Sequence, residues 1–229
     1  MNPEDLALYL MWYVVFLLSV TCHEAAHALV AKWGGDSTAY QAGQVTLNPM
    51  PHIQREPWGM VIIPILSLTM GGMLFGWGSA PFDPYWEQRY PKRAAWMALA
   101  GPLANLILVL LAAVGLRVGM ATGVFVPSGS IGFSQLVAAA PGTAWEGLAI
   151  FLSLMFCENV LLGFFNLLPV PPLDGNTAIA LILPDRAAEA FRAATRTGFL
   201  AMFGIWIAWF LAGPLLRPVL LGAIGTLIY

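Results

Sequence analysis

Apolar residues run along this chain in long, nearly unbroken blocks, separated by shorter stretches rich in glycine, proline and charge. Leu6 to Ala31 is the first block, closed by Lys32 and the helix breakers Gly34 and Gly35. A helix needs about 20 residues to cross a hydrocarbon layer, so this block predicts a membrane-spanning helix. Arg93 to Leu116 and Ala144 to Leu168 predict two more, the second stopped by Pro169-Val170-Pro171-Pro172. Thr197 to Ala212 predicts a further span, with Gly213-Pro214 expected to break it. Leu215 to Tyr229 is then a separate closing segment of about 15 residues, short for a full crossing.

The intervening stretches carry other patterns. Residues 36–57 are more polar, and the alternation Ala42-Gly43-Gln44-Val45-Thr46-Leu47 before Asn48-Pro49 predicts a β-hairpin or extended ribbon. Trp58 to Phe75 is apolar but interrupted by Pro64 and by Gly71-Gly72. Residues 76–92 and 117–144 read as loops. Asp185 to Arg196 has a helical pattern, with Arg192 and Arg196 one turn apart on a face suited to a membrane surface.

Composition fixes the solvent. Of 229 residues 59% are hydrophobic and 10% charged, with a mean hydropathy of +0.76. Soluble domains carry about 25% charged residues, so this chain has too little polar surface to face water all round. The expected fold class is an all-α polytopic membrane protein: a transmembrane helix bundle with a small β-ribbon or re-entrant segment after the first helix. Residues 1–229 read as one membrane-embedded domain, with a core over 6–175 and C-terminal helices over 176–229. The lipid bilayer is therefore a partner, and a homo-oligomer within it is compatible with this composition. A net charge of −2 argues against nucleic acid as a partner. Cys22 and Cys157, both inside apolar runs, imply no disulfide framework. The opening Met1-Asn2-Pro3-Glu4-Asp5 is acidic where a cleaved signal is basic, so the first helix is expected to be retained.

Charge also orients the bundle. Segment 119–144 holds no Lys, Arg, Asp or Glu, whereas Lys32, Arg55, Arg89, Lys92, Arg93, Arg186, Arg192 and Arg196 cluster in three other regions. The positive-inside rule places those three regions in the cytoplasm and leaves Arg117 and Arg217 unaccounted for. Both ends of Trp58–Phe75 then face the cytoplasm, so that segment should dip in and return, with Pro64 or Gly71-Gly72 supplying the bend. Backbone of that kind is tolerated only against protein or a water-filled cavity.

Ionisable residues inside the apolar blocks are few, and they mark the chemistry. The first block contains His23-Glu24-Ala25-Ala26-His27, which reads H-E-x-x-H. On a helix the two histidines share a face one turn apart and reach one metal ion, with Glu24 beside them to take a proton from a water. Each such group costs about 2.5–3.5 kcal/mol in a membrane helix, which favours a metal over accident. Catalytic zinc usually keeps three protein ligands and an open position, so a third ligand is required. Asp174, Glu158 and His52 are available. Asp174 follows the proline stop on the same side of the membrane as the histidines, with Gly175 allowing a tight turn. Its competing role is to cap the next helix; given the histidine pair, the ligand reading is preferred. His52 reads more simply as a loop histidine bonded to backbone. Asn105, after Gly101-Pro102, reads as a helix–helix hydrogen bond. Glu158 needs a partner such as Arg93 or Arg117, or a proton, and is not assigned to the metal.

Three motifs taken together carry a resemblance. H-E-x-x-H in an early helix, Ala100-Gly101-Pro102-Leu103-Ala104-Asn105-Leu106 in a middle one, and Phe165-Asn166-Leu167-Leu168-Pro169 to Leu173-Asp174-Gly175 in a later one resemble the site-2 protease family of intramembrane zinc metalloproteases. Val45 to Ile53 and Gly76-Trp77-Gly78 resemble its compact prokaryotic members. The resemblance implies one zinc ion held by His23, His27 and Asp174, Glu24 as general base, and Asn166 as a donor to substrate backbone or oxyanion. It implies a transmembrane protein as substrate, cut in or near its membrane segment, and a multi-pass protein of a prokaryotic cell membrane with its site toward the cytoplasm. Two other functions fit the residues less well: a transporter or metal-binding protein using the His/Asp cluster for a cation, and a catalytically idle helix-binding relative. A transporter should show repeated halves, and none is visible.

Overall fold

The structure, a computed structural model, describes residues 3–71, 74–195 and 198–228. Helix α1 (Pro3–Gly34) is 32 residues long. The short helices α2 (Thr38–Gln41) and α3 (Met50–Arg55) follow, then a π-helical turn at Trp58–Ile62 that continues into α4 (Ile63–Gly71). Next come α5 (Pro84–Arg89) and the long α6 (Pro91–Ala121), then the strands β1 (Val126–Gly132) and β2 (Gln135–Ala138). Helix α7 (Ala144–Asn166), the short α8 (Gly175–Ala178), α9 (Asp185–Thr195) and α10 (Gly198–Leu227) complete the chain. Among the described residues, α1, α6, α7 and α10 are the four helices long and apolar enough to cross a membrane.

These four alternate in direction, and α6 lies between α1 and α7. Their inner faces meet in a core of Val15, Val109, Ala112, Leu116, Leu154 and Phe156, while Leu111, Val114, Trp206 and Phe210 point outward, as lipid-facing residues do. The Thr226 carbonyl near the end of α10 accepts from Arg117 near the end of α6 (3.3 Å), which places both termini at the same end of the bundle. At the opposite end, Asp36 Oδ1 accepts from the Thr38 backbone (2.9 Å) and hydroxyl (2.6 Å), and its Oδ2 accepts from Asp83 N (2.8 Å). The Gly34 carbonyl accepts from Trp86 Nε1 (3.1 Å) and Arg93 (3.0 Å). Those bonds join the end of α1 to α2, α5 and the start of α6.

The helical bundle is as the apolar blocks predict, with three local corrections. No strand forms over 42–53: residues 50–55 are helical, because Asn48 Oδ1 accepts from Met50 N (3.0 Å) and Pro51 occupies the first turn of α3. The small antiparallel sheet lies instead between α6 and α7, where Leu136 and Val137 of β2 are buried in the bundle core. Gly213-Pro214 does not break the last span; α10 runs through both Pro214 and Pro218 as one helix. In an apolar helix the lost backbone bonds cost less than exposing a break to lipid. Glu158, finally, pairs with neither Arg93 nor Arg117. Its Oε2 accepts from the indole N–H of Trp12 (2.9 Å).

The apolar segment after residue 57 is a short helix whose following chain comes back beside its start. Residues 58–70 are helical over about 20 Å, short of a hydrocarbon layer about 30 Å thick. The chain then comes back extended, and Trp77 N donates to Gly59 O (3.1 Å). Of the expected bend formers, Gly72 lies outside the described residues, as does Arg196 of the α9 surface face. Asp83 then caps α5 by accepting from Tyr85 N (2.8 Å).

Candidate metal centre

His23, Glu24 and His27 all lie on the inner side of α1, each less than 10% exposed. With 3.6 residues per turn the two imidazoles stack one above the other, their rings 4.6 Å apart at an interplanar angle of 85°. Asp174 arrives from the far end of α7. That helix stops at Asn166, and successive turns through Leu168, Val170 and Leu173 carry the chain back toward α1 and α6. Gly175 makes this return possible, since a Cβ there would collide with the carbonyls of Leu167 and Leu168. Asp174 occupies the N-cap position of α8, but its side chain makes no capping bond. Instead its Oδ2 lies 2.9 Å from His23 Nε2, and its Oδ1 lies 3.3 Å from His27 Nε2. Ligand atoms of the three side chains all lie within 4.8 Å of one another.

The outward-facing sides of both rings are fixed. His27 Nδ1 is 2.7 Å from the Met97 carbonyl, and His23 Nδ1 is 2.6 Å from Asn105 Oδ1. Both partners are oxygens that accept, so each Nδ1 carries the hydrogen and each Nε2 presents a lone pair. Two imidazole lone pairs thus face two carboxylate oxygens, and Asp174 Oδ2 is buried with no hydrogen-bond donor. Four acceptors converging in a largely buried site require positive charge between them. Two nitrogens and one carboxylate, with each ring locked by an outer partner, is a donor set suited to zinc.

Gly101 of α6 completes the setting. A Cβ there would lie 2.5 Å from both His23 Nε2 and His27 Nε2, so the absence of a side chain is what leaves room in front of the two ligand atoms. Glu24 faces away from α6, toward the returning segment. A Cβ at Gly78 would lie 2.8 Å from Glu24 Cγ and 3.0 Å from its Oε1, so bare backbone passes directly over the carboxylate. That segment is held in place by Ser79, whose hydroxyl donates to Glu56 Oε1 (2.5 Å) and accepts from Arg55 (3.0 Å).

The structure thus brings together His23, His27 and Asp174, with Glu24 on the same turn of α1. Asn166 is half-buried at the end of α7, and its amide donates to the Leu162 carbonyl of its own helix (3.1 Å) rather than to any of the three ligand side chains. His52 is buried with Nε2 3.1 Å from the Thr46 carbonyl, bonded to backbone as expected but from helix α3 rather than a loop. Asn105 does more than join two helices, since it touches a histidine of the cluster. Its place four residues after Gly101 was the available signal. The partner of His27, a backbone carbonyl, leaves no signal in a sequence.

Comparison with known proteins places the chain in a family. A family model described as peptidase family M50 matches residues 11–211. The chain is 32% identical over 206 residues to the Bacillus subtilis protein named "Putative zinc metalloprotease YwhC", covering 90% of this chain and 83% of that one. It is 30% identical over 185 residues to the Mycolicibacterium smegmatis protein of the same designation, Rip2, covering 81% of this chain and 62% of that one. A Mycobacterium tuberculosis protein so designated, Rip3, is 30% identical over 223 residues, and the match spans 43% of its length. No solved structure gives a significant match.

Proposed function

The chain belongs to peptidase family M50, a family of zinc metalloproteases, and from that premise we propose that it is an intramembrane endopeptidase that hydrolyses a peptide bond in or near a transmembrane segment of a membrane protein. The observation that carries the proposal is the convergence of His23, His27 and Asp174 among membrane-spanning helices, with Glu24 on the same helical turn. A soluble substrate would have no route to such a site. A bilayer-embedded one reaches it laterally.

His23, His27 and Asp174 would hold a zinc ion, which when bound would supply Lewis acidity toward a peptide carbonyl and a water. The chain's own residues do the rest. Glu24 accepts the proton of the attacking water and delivers it to the departing amine, a role that contributes about 10²–10⁴-fold. Asn166 keeps one amide hydrogen and its oxygen free of the Leu162 bond, enough to hold a substrate backbone or an oxyanion. Residues 42–53 and 58–75, apolar or alternating in sequence and so candidates to clamp a substrate by strand addition, form no strand among the described residues. Residues 74–83, whose Gly78 backbone passes over Glu24, are the segment placed to hold a substrate beside that carboxylate. The distribution of Lys and Arg favours a site near the cytoplasmic face of a prokaryotic cell membrane.

Reconstitution with zinc and a single-span substrate in vesicles tests this reading. Wild type should bind one zinc per chain and cut the substrate. Glu24→Gln should keep the zinc and lose cutting by the factor above. Full cutting by Glu24→Gln would remove Glu24 from the chemistry. Zinc flux across the vesicle without cutting would favour a transporter instead.

A further inference from the structure

The polar contacts around His23 form a directed chain. Asn159 of α7 donates through Nδ2 to the Met155 carbonyl (2.8 Å) and to Ser19 Oγ of α1 (2.9 Å). The carbonyl only accepts, so the Asn159 nitrogen must lie there and its oxygen must face the other way. That oxygen accepts from Asn105 Nδ2 (2.8 Å), which in turn leaves Asn105 Oδ1 facing His23 Nδ1 at 2.6 Å. The chain leaves α1 at Ser19, crosses α7 and α6, and returns to α1 one turn later. Ser19, Asn105 and Asn159 are all buried, Ser19 and Asn105 fully.

We propose that Asn105, oriented by Asn159, is a positioning residue: it holds the hydrogen on His23 Nδ1 and so presents the Nε2 lone pair to the metal. The inference rests on the zinc reading above. Two asparagines between helices are commonly a packing device. Here a backbone carbonyl at one end sets the polarity of the whole chain, and a histidine that must offer one chosen nitrogen receives it at the other. An acceptor at Nδ1 both fixes the ring and raises the basicity of Nε2.

Zinc affinity, measured by chelator competition on the full chain in detergent, tests the assignment without any substrate. Asn105→Asp keeps an acceptor at His23, and Asn105→Leu keeps the volume without one. Asn105→Asp, which keeps the acceptor at His23 but sets an oxygen against Asn159 Oδ1, should lose less zinc affinity than Asn105→Leu, which should bind about 10- to 100-fold more weakly than wild type. Asn159→Leu, which frees Asn105 to turn, should weaken binding in the same direction by less. With three histidines in the chain, imidazole nitrogen spectra of the zinc-loaded protein can follow each ring. Asn105→Leu should move the His23 Nδ1–H signal and leave that of His27 in place. Equal affinity in wild type and Asn105→Leu overturns the assignment, and so do equal losses in Asn105→Leu and Asn105→Asp, the mark of packing alone. Should Asn105→Leu not fold, Asn105→Ala takes its place with the same outcomes. Wild type that binds no zinc sinks both this inference and the protease reading, whereas zinc binding without cleavage sinks only the latter.

Discussion

Replacing Gly101 by alanine is a one-methyl change placed directly against both histidines. The added carbon would lie 2.5 Å from His23 Nε2 and from His27 Nε2. Non-bonded heavy atoms settle at about 3.5–4.0 Å, so each ring would have to retreat by about 1 Å. An exposed histidine would swing aside at little cost, but these two are held at their far nitrogens by Asn105 and Met97 at 2.6 and 2.7 Å. Overpacking of this kind costs about 1–3 kcal/mol. Ligand distances in a zinc site tolerate about 0.2 Å, far less than the retreat required.

If that strain falls on the metal-loaded geometry, zinc affinity should drop about 5- to 150-fold, at tenfold per 1.4 kcal/mol. Chelator competition reads the affinity. Thermal unfolding of the metal-free protein provides the control, since it separates strain carried by the fold from strain on the metal-loaded site. Zinc binding by Gly101→Ala within twofold of wild type, in a folded protein, would refute the reasoning. The space before the two Nε2 atoms would then not be where the metal is bound.

Two further outcomes concern the bundle itself. Trp12→Phe strips Glu158 of the donor at its Oε2 and should destabilise the protein by about 1–3 kcal/mol, while Trp12→Phe combined with Glu158→Leu should recover part of that loss in detergent unfolding curves; no recovery would mean that Trp12 acts through packing on Phe133. Burial pushes the Asp36 carboxyl up, but the donors of Thr38 and Asp83 outweigh it and hold it below its ordinary value. Its ionised form therefore stabilises the fold fully above the unfolded pKa of about 3.9, and the contribution fades as pH falls below that. Asp36→Asn should be less stable than wild type at pH 7, with a gap that narrows on acidification, and a gap independent of pH would rule the carboxylate out as the staple.

The spans were legible because lipid demands one thing of a crossing helix, about 20 apolar residues, and composition alone supplies it. His23 and His27 were legible because helical spacing converts i, i+4 into a shared face. Asp174 needed an argument about ligand number, and its place in space depends on turns after Asn166 that no periodicity encodes. The polar alternation at 42–47 misled because turn chemistry at Asn48 outweighs it, and the sheet at 126–138 has mostly small residues with little strand signature. Pro214 misled for another reason: its cost in water, where a freed carbonyl finds a solvent partner and the helix ends, differs from its cost among lipid chains, where ending the helix is worse.

Helix α6 contributes no ligand, yet it decides what the ligands can do. Met97, Gly101 and Asn105 recur every fourth residue and so share one face of that helix. The first fixes the ring of His27, the last fixes the ring of His23, and the one between them is empty so that both Nε2 atoms face open space. Sliding α6 by one turn along α1 would bring Asn105 to a different ring and set a side chain where Gly101 now stands. The register of α1 against α6 is thus fixed by the site as much as by the apolar core. The buried asparagines serve both ends: unpaired in an apolar bundle they are costly, so any other register is penalised, and in the native one their pairing points a lone pair at the metal position.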